Sequence, residues 1–310
     1  MSDRYLWDRS GEPDPEVECL EKLLSPFALS ARARSNRRWM AIAAGIAAIA
    51  GLAAWQWTLH TRPPSVKSAW QLIHSGSAPI EIYTGQLIRT DAHTTAELHS
   101  DLVGQVRLEP GSEAYVREST PSRQLLMLRR GVMHAFIWAP PSQFAVDTPG
   151  VRAIDLGCAY TLSTNTSGDG LITVQTGWVA FDHDRHESFI PAGAVCRVSG
   201  ERGPGIPWFE DAPQPFRDAV RNWERDHSVD NLAAILATAR PHDAITLWHL
   251  MSRVDTDQRA QVFDRFSELL RVPSKLRAGV VAGDHNALDV CWNALQLGNT
   301  SWWRTWKRIW

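Results

Sequence analysis

The sequence predicts three kinds of structure in one chain: a single transmembrane helix, an all-β domain built as a sandwich or short β-solenoid, and an α-helical C-terminal domain. Three observations carry that expectation. Residues 39–59 run for twenty-one positions without a charge. Over residues 78–200 apolar and polar side chains alternate, with turn signals every roughly 8–12 residues. From residue 213 onward apolar positions recur at helical spacing instead. The 310 residues carry a formal charge of −2. That balance gives no general nucleic-acid signal, and no direct nucleic-acid partner is expected.

Residues 1–38 come first. Asp14-Pro15-Glu16 reads as a helix start, with a capping carboxylate, Pro in the first turn and an acid facing the dipole. Val17, Leu20, Leu24 and Phe27 follow at helical spacing, and Pro26 limits the length. Residues 1–28 hold seven acidic and three basic side chains, so the helix is acidic on one side and apolar on the other. It is too short to be stable alone and would gain order in a partner's groove. An inert juxtamembrane stub is the competing reading.

The uncharged run is WMAIAAGIAAIAGLAAWQWTL, Trp39–Leu59. At about 1.5 Å per residue such a helix covers a hydrocarbon core of about 30 Å. Its backbone groups satisfy one another where there is no water. Trp39 stands at one end and Trp55 and Trp57 at the other, at headgroup depth. Arg32, Arg34, Arg37 and Arg38 precede the run, whereas only Arg62 and Lys67 follow closely. That asymmetry puts the N-terminus in the cytoplasm and the bulk of the chain outside it. The lipid bilayer is the partner that this run implies. Residues 60–77, with Pro63-Pro64, read as a linker.

Ile80–Tyr83, Gln105–Leu108, Val132–Ile137 and Leu171–Val174 show the alternation most clearly. Turn signals fall at Tyr83-Thr84-Gly85, Glu109-Pro110-Gly111-Ser112, Arg129-Arg130-Gly131, Thr148-Pro149-Gly150, Ser167-Gly168-Asp169-Gly170 and Pro191-Ala192-Gly193. Short strands at this spacing specify a sandwich or solenoid.

One succession within this region is specific as a series. Gly85-Gln86-Leu87-Ile88-Arg89-Thr90 comes first, then Val106-Arg107-Leu108-Glu109-Pro110-Gly111-Ser112 and Leu128-Arg129-Arg130-Gly131-Val132. Phe144-Ala145-Val146-Asp147-Thr148-Pro149-Gly150 and Asp155-Leu156-Gly157-Cys158-Ala159-Tyr160-Thr161-Leu162 follow. Val174-Gln175-Thr176-Gly177-Trp178-Val179 and Pro191-Ala192-Gly193 complete it. Over about 120 residues the order resembles the FecR-like periplasmic regulators, with Cys158 where that family usually has Thr. The resemblance implies a single-pass protein of a bacterial inner membrane that relays a periplasmic signal, with an extracytoplasmic-function sigma factor as cytoplasmic partner. Two departures stand out. The stretch before the anchor is shorter than the usual sigma-regulating domain, and the C-terminal region is helical where the family has a small α/β module.

Residues 201–212, beginning Glu201-Arg202-Gly203-Pro204-Gly205, read as a second linker. Four helical patterns follow, near 213–226, 229–239, 242–252 and 256–270. In the last, Val262, Phe263, Phe266, Leu269 and Leu270 share a face, and Asp255 with Gln258 forms a capping pair. Five of the fifteen tryptophans fall in the last nineteen residues: Trp292, Trp302, Trp303, Trp306 and Trp310. With Arg304, Lys307 and Arg308 among them they suit a membrane interface or, alternatively, the closing of the helical core.

Catalytic motifs are not evident. The chain has no G-x-S-x-G elbow, no phosphate-binding glycine loop and no HExxH. His183-Asp184-Arg185-His186 could chelate a metal, but it reads as a polar hairpin tip. Cys158, Cys196 and Cys291 fall on the exported side, and a Cys158–Cys196 bridge is left open. The expectation is a non-enzymatic signalling protein without a cofactor. An envelope-binding or scaffold module without signalling, gripping a periplasmic protein or envelope ligand, is the alternative.

Overall fold

The computed structural model describes Lys22 and residues 67–73, 78–183 and 186–298. The expected N-terminal helix with Val17, Leu20, Leu24 and Phe27, the anchor at 39–59 with Arg37, Arg38, Trp39, Trp55 and Trp57, and the tail at 301–310 lie outside them. Among the described residues no helix is long and apolar enough to cross a membrane.

Strand β7 (Gln124–Ile137) organises the β region because it belongs to two sheets. Its second half pairs with β5 (Gly104–Leu108) and β10 (Ala159–Thr164). From β5 this first sheet continues through β4 (Ala96–Ser100) and β1 (Lys67–Ile73) to β2 (Ile80–Tyr83). From β10 it continues through β11 (Gly170–Thr176) to β14 (Ala194–Ser199). Two two-residue strands, β15 (Gly203–Pro204) and β16 (Trp208–Phe209), finish that edge on β14. The first half of β7 pairs with β6 (Glu113–Ser119) and β8 (Phe144–Asp147). This second sheet runs from β3 (Leu87–Arg89) through β6, β7, β8 and β9 (Arg152–Asp155) to β12 (Trp178–His183) and β13 (His186–Pro191).

Gly131 is where β7 passes between sheets. Its φ is +106°, and a Cβ there would lie 2.2 Å from the Ser112 hydroxyl oxygen. Only glycine fits both the dihedral and the close approach. Arg129-Arg130-Gly131, expected as a turn, is therefore a bend inside one fourteen-residue strand. The bend also explains the parallel pairing of β7 with β8. Parallel neighbours need a long crossover, and residues 128–143 supply it, passing through the opposite sheet along the second half of β7. The β region is thus a large, mainly antiparallel sheet structure in which β7 runs through both halves.

The inner faces of both sheets meet in one core. Leu98, Val106, Met133, Tyr160 and Ile172 come from the first sheet, and Val116, Leu128, Val146, Phe181 and Ile190 from the second. Trp70 meets Phe144 across it at 5.7 Å between ring centroids. Trp70 lies on β1, inside the stretch expected as a linker at 60–77; that stretch contributes a strand because its tryptophan is fully buried. Residues 201–212 are likewise not a free linker. They hold β15 and β16, and Ile206, Trp208 and Phe209 are buried.

Helices α1 (Gln214–Asp226), α2 (Val229–Thr238), α3 (Ala244–Met251) and α4 (Thr256–Leu270) match the expected spans to within two residues. Asp255 accepts from the Gln258 amide at 2.8 Å, as the capping pattern requires. Val262, Phe263 and Phe266 are buried on the expected face, with Leu269 and Leu270 packed at its border. Periodicity does not predict α5 (Arg277–Val281) or α6 (His285–Ala294), which are short and separated by Gly283. Phe216, Val220 and Trp223 of α1 share a core cluster with Val195, Ile206 and Trp208. Strands and helices therefore belong to one compact unit, residues 64–310.

Candidate functional site

Where α1 passes the β14–β15 edge, the chain leaves an open cleft of about 1480 Å³. Two glycines allow the close approach that shapes it. A Cβ on Gly203 would lie 2.8 Å from the His183 ring, and one on Gly205 would lie 2.2 Å from Glu224 Oε1. The Ile206 amide donates to Glu224 Oε1 at 2.6 Å. Burial pushes the Glu224 carboxyl up to about 7, against the pull of that amide and of Arg253. Arg253, just beyond α3, donates to the carbonyls of Pro204 at 2.7 Å and Glu187 at 3.0 Å and to Ser188 Oγ at 2.7 Å. Ser188 in turn donates to the Gly205 carbonyl at 2.6 Å. Arg253 thereby ties β13 to β15 and sets the cleft floor. Arg197, Arg202 and Arg225 line the walls with Asp169 and Glu201. The mixture of signs suits a polar ligand better than a strongly charged one.

A second feature lies on the outer face of the first sheet. Arg107, His134 and Thr161 are register partners across β5, β7 and β10. His134 Nδ1 and Thr161 Oγ1 are 2.9 Å apart, and His134 Nε2 lies 3.0 Å from Glu109. Gln175 donates to Thr161 Oγ1 at 3.2 Å. The connectivity of hydroxyl, imidazole and carboxylate resembles a nucleophilic triad. It sits, however, on a flat face of doubly paired strands, whose amides are committed to the ladders and cannot form an oxyanion hole. A neighbouring register row carries Gln105, Phe136 and Ala159. Phe136 and Trp138 are 56% and 44% exposed, with ring centroids 5.9 Å apart.

The buried polar groups are structural. Asp155 accepts from the Gly157 amide at 2.7 Å and from the Cys158 thiol at 2.5 Å. Burial raises the Asp155 carboxyl to about 7, and burial plus the adjacent carboxylate raises the Cys158 thiol far above its ordinary range. A thiol so raised is a poor nucleophile. Cys158, Cys196 and Cys291 are free and buried, so Cys158 and Cys196 are not bridged.

Of the residues singled out in the sequence, His183 and His186 are backbone register partners at the end of the β12–β13 hairpin. Among the described residues no three metal-ligating groups cluster. Trp292 is fully buried, so at that position the ring closes the core. Sequence reasoning missed Glu224 and Arg253, which only the fold brings together. It also missed Phe136 and Trp138, although both stand at solvent parity in the alternation around Met133, Ala135 and Ile137.

No protein-family model matches this chain, and a comparison with curated proteins finds no match. Among solved structures, it is similar to a crystal structure at 1.65 Å of a candidate anti-sigma factor from Parabacteroides distasonis. The identity is 17% and the TM-score 0.36, covering 43% of this chain and 63% of that one. This chain thus spans less than two thirds of that neighbour. A second structure so described from the same organism, at 2.50 Å, gives 16% identity and a TM-score of 0.36, covering 48% of this chain and 74% of that one.

Proposed function

We propose that this chain is a membrane-anchored, non-enzymatic regulator of the FecR-like kind. The observation that carries the reading is the order of the FecR-like segments along the β fold. Gly85–Thr90 spans β3, and Val106–Ser112 closes β5 and turns into β6. Leu128–Val132 is the glycine bend of β7, and Phe144–Gly150 is β8 with its turn. Asp155–Leu162 leads into β10, Val174–Val179 joins β11 to β12, and Pro191–Gly193 turns into β14. Each segment thus has a structural reason to be where it is.

In this reading the uncharged run 39–59 anchors the chain, and Arg37 and Arg38 hold the N-terminus inside. The cleft beside Glu224 and Arg253 receives a periplasmic ligand or protein. Binding there favours one arrangement of the exported part and biases the N-terminal segment. Val17, Leu20, Leu24 and Phe27 of that segment contact a cytoplasmic sigma factor.

The test uses the full-length chain in its own membrane. Cross-linking from the N-terminal segment should capture a sigma factor, and Leu24→Glu should abolish capture without altering insertion. A sigma factor captured equally by the Leu24→Glu chain, or none captured at all, would leave an envelope-binding module without signalling. An export-dependent reporter fused after residue 205 should be active and one at residue 30 silent; the reverse would sink the topology.

A further inference from the structure

Exposed apolar side chains scattered singly need no explanation, but a cluster of rings on a rigid strand does. Phe136 sits near the end of β7, a strand paired on both sides, and Trp138 follows directly after it, with Leu102, 73% exposed, on the adjoining β4–β5 turn. The Trp138 indole donates to the Asp101 carbonyl at 2.9 Å, which fixes the ring while leaving a face in water. His99 lies 6.1 Å from that ring, linked to Asp101 at 3.0 Å and to Gln105 at 3.3 Å. Such a ring costs little further ordering when a ligand arrives.

We propose that this face, centred on Phe136 and Trp138, binds a glycan chain. A sugar ring presents an apolar C–H face and a rim of hydroxyls that both donate and accept. The aromatic faces take the first by dispersion, and imidazole, amide and carboxylate groups alongside take the second. His99, Asp101 and Gln105 supply that rim chemistry on one side of the rings, and Thr161 with Gln175 supplies it on the other. Register partners Gln71, His99, Gln105, Phe136, Ala159 and Thr176 cross six strands in one row. At about 4.8 Å per strand the row is about 24 Å long, the footprint of an oligosaccharide rather than of a single sugar.

Charge decides against other occupants. Arg107 is paired with Glu109 at 3.1 Å, and the Asp101 side chain is 95% exposed, so the face offers no surplus cation to an anionic membrane or to nucleic acid. A protein hot spot would want a pocket that desolvates the rings, whereas this face is flat and polar around them. The inference does not depend on the regulatory reading, since the cleft and the N-terminal segment take no part in it.

The experiment sediments the full-length chain, in detergent, with insoluble peptidoglycan sacculi and separately with chitin. Co-sedimentation with at least one is expected, together with a tenfold or greater weakening in Trp138→Ala and in Phe136→Thr. Trp138→Phe, which keeps a ring, should retain most binding, and Glu224→Ala in the cleft should bind as the parent does. Phe136→Thr keeps a β-favouring residue at an exposed position, so a loss there with an unchanged melting curve cannot be misfolding. Failure to sediment with either polymer overturns the proposal, as does undiminished binding by both ring variants. A photo-cross-linker at residue 136 that traps protein instead of glycan in the native envelope would also overturn it.

Discussion

The two outer faces of the sandwich both carry aromatic rings, and those rings meet different fates. On the second sheet Leu125, Ala145, Ile154, Ala180 and Phe189 are buried under Trp248 of α3 and Trp292 of α6. Trp292 contacts Trp178, Phe189 and Trp248 at centroid distances of 5.8, 5.7 and 4.8 Å. On the first sheet the corresponding side keeps Phe136 and Trp138 in water. The difference shows in the strands themselves. Covered β8 is buried at all four positions, Phe144 to Asp147, whereas open β5 alternates buried and exposed. Period two is the mark of one dry face; two dry faces erase it.

Removing the cover should produce the largest effect. Trp292→Ala deletes a fully buried ring whose Nε1 donates to the Gly298 carbonyl at 3.0 Å. A loss of about 3–5 kcal/mol is expected in chemical denaturation. A loss under about 1 kcal/mol would mean that the helices contribute little to the second sheet.

Acid should weaken the same seam by a smaller amount. His249 of α3 accepts the Phe189 amide at Nε2, 3.0 Å away, and Nδ1 donates to the Ile245 carbonyl at 2.9 Å. Both bonds fit one neutral tautomer, and burial holds the ring's pKa down to about 3. In the unfolded chain the ring titrates near 6.5, so protons favour unfolding. The stabilisation is present above pH 6.5 and is lost as pH falls toward 3, amounting to about a few kcal/mol. Asp155 and Glu224, raised to about 7, act in the opposite sense over pH 4–7, so the measurement is a difference. His249→Gln should flatten the acid limb of stability against pH relative to the parent; parallel curves would show that His249 is not the group responsible.

The open face should be the least sensitive. Phe136→Thr is expected to change stability by less than about 0.5 kcal/mol, because its ring leaves water only in part. A loss comparable with that of Trp292→Ala would show that the face is covered after all, and the contrast between the sheets would fail.

Local chemistry made much of this legible before any coordinates. Alternation in β2, β5 and β11, the turns at Gly85, Gly111 and Gly193, and the Asp255 cap are properties of neighbours in the chain, so residue order determines them. The tertiary structure decided the rest. Gly131 looked like a turn because a positive φ serves a hairpin or a sheet-to-sheet bend equally, and only the position of Ser112 selects the bend. Residues 60–77 and 201–212 looked like linkers because a single buried tryptophan in a Pro- and Gly-containing stretch has no period. Their burial depends on partners far along the chain, Phe144 for Trp70 and the α1 side chains for Trp208. Glu224 and Arg253 stand twenty-nine positions apart and share a cleft through the fold alone. Periodicity tells which side of a strand is dry; whether its other side is dry as well depends on what packs there, and that is settled between elements, not within them.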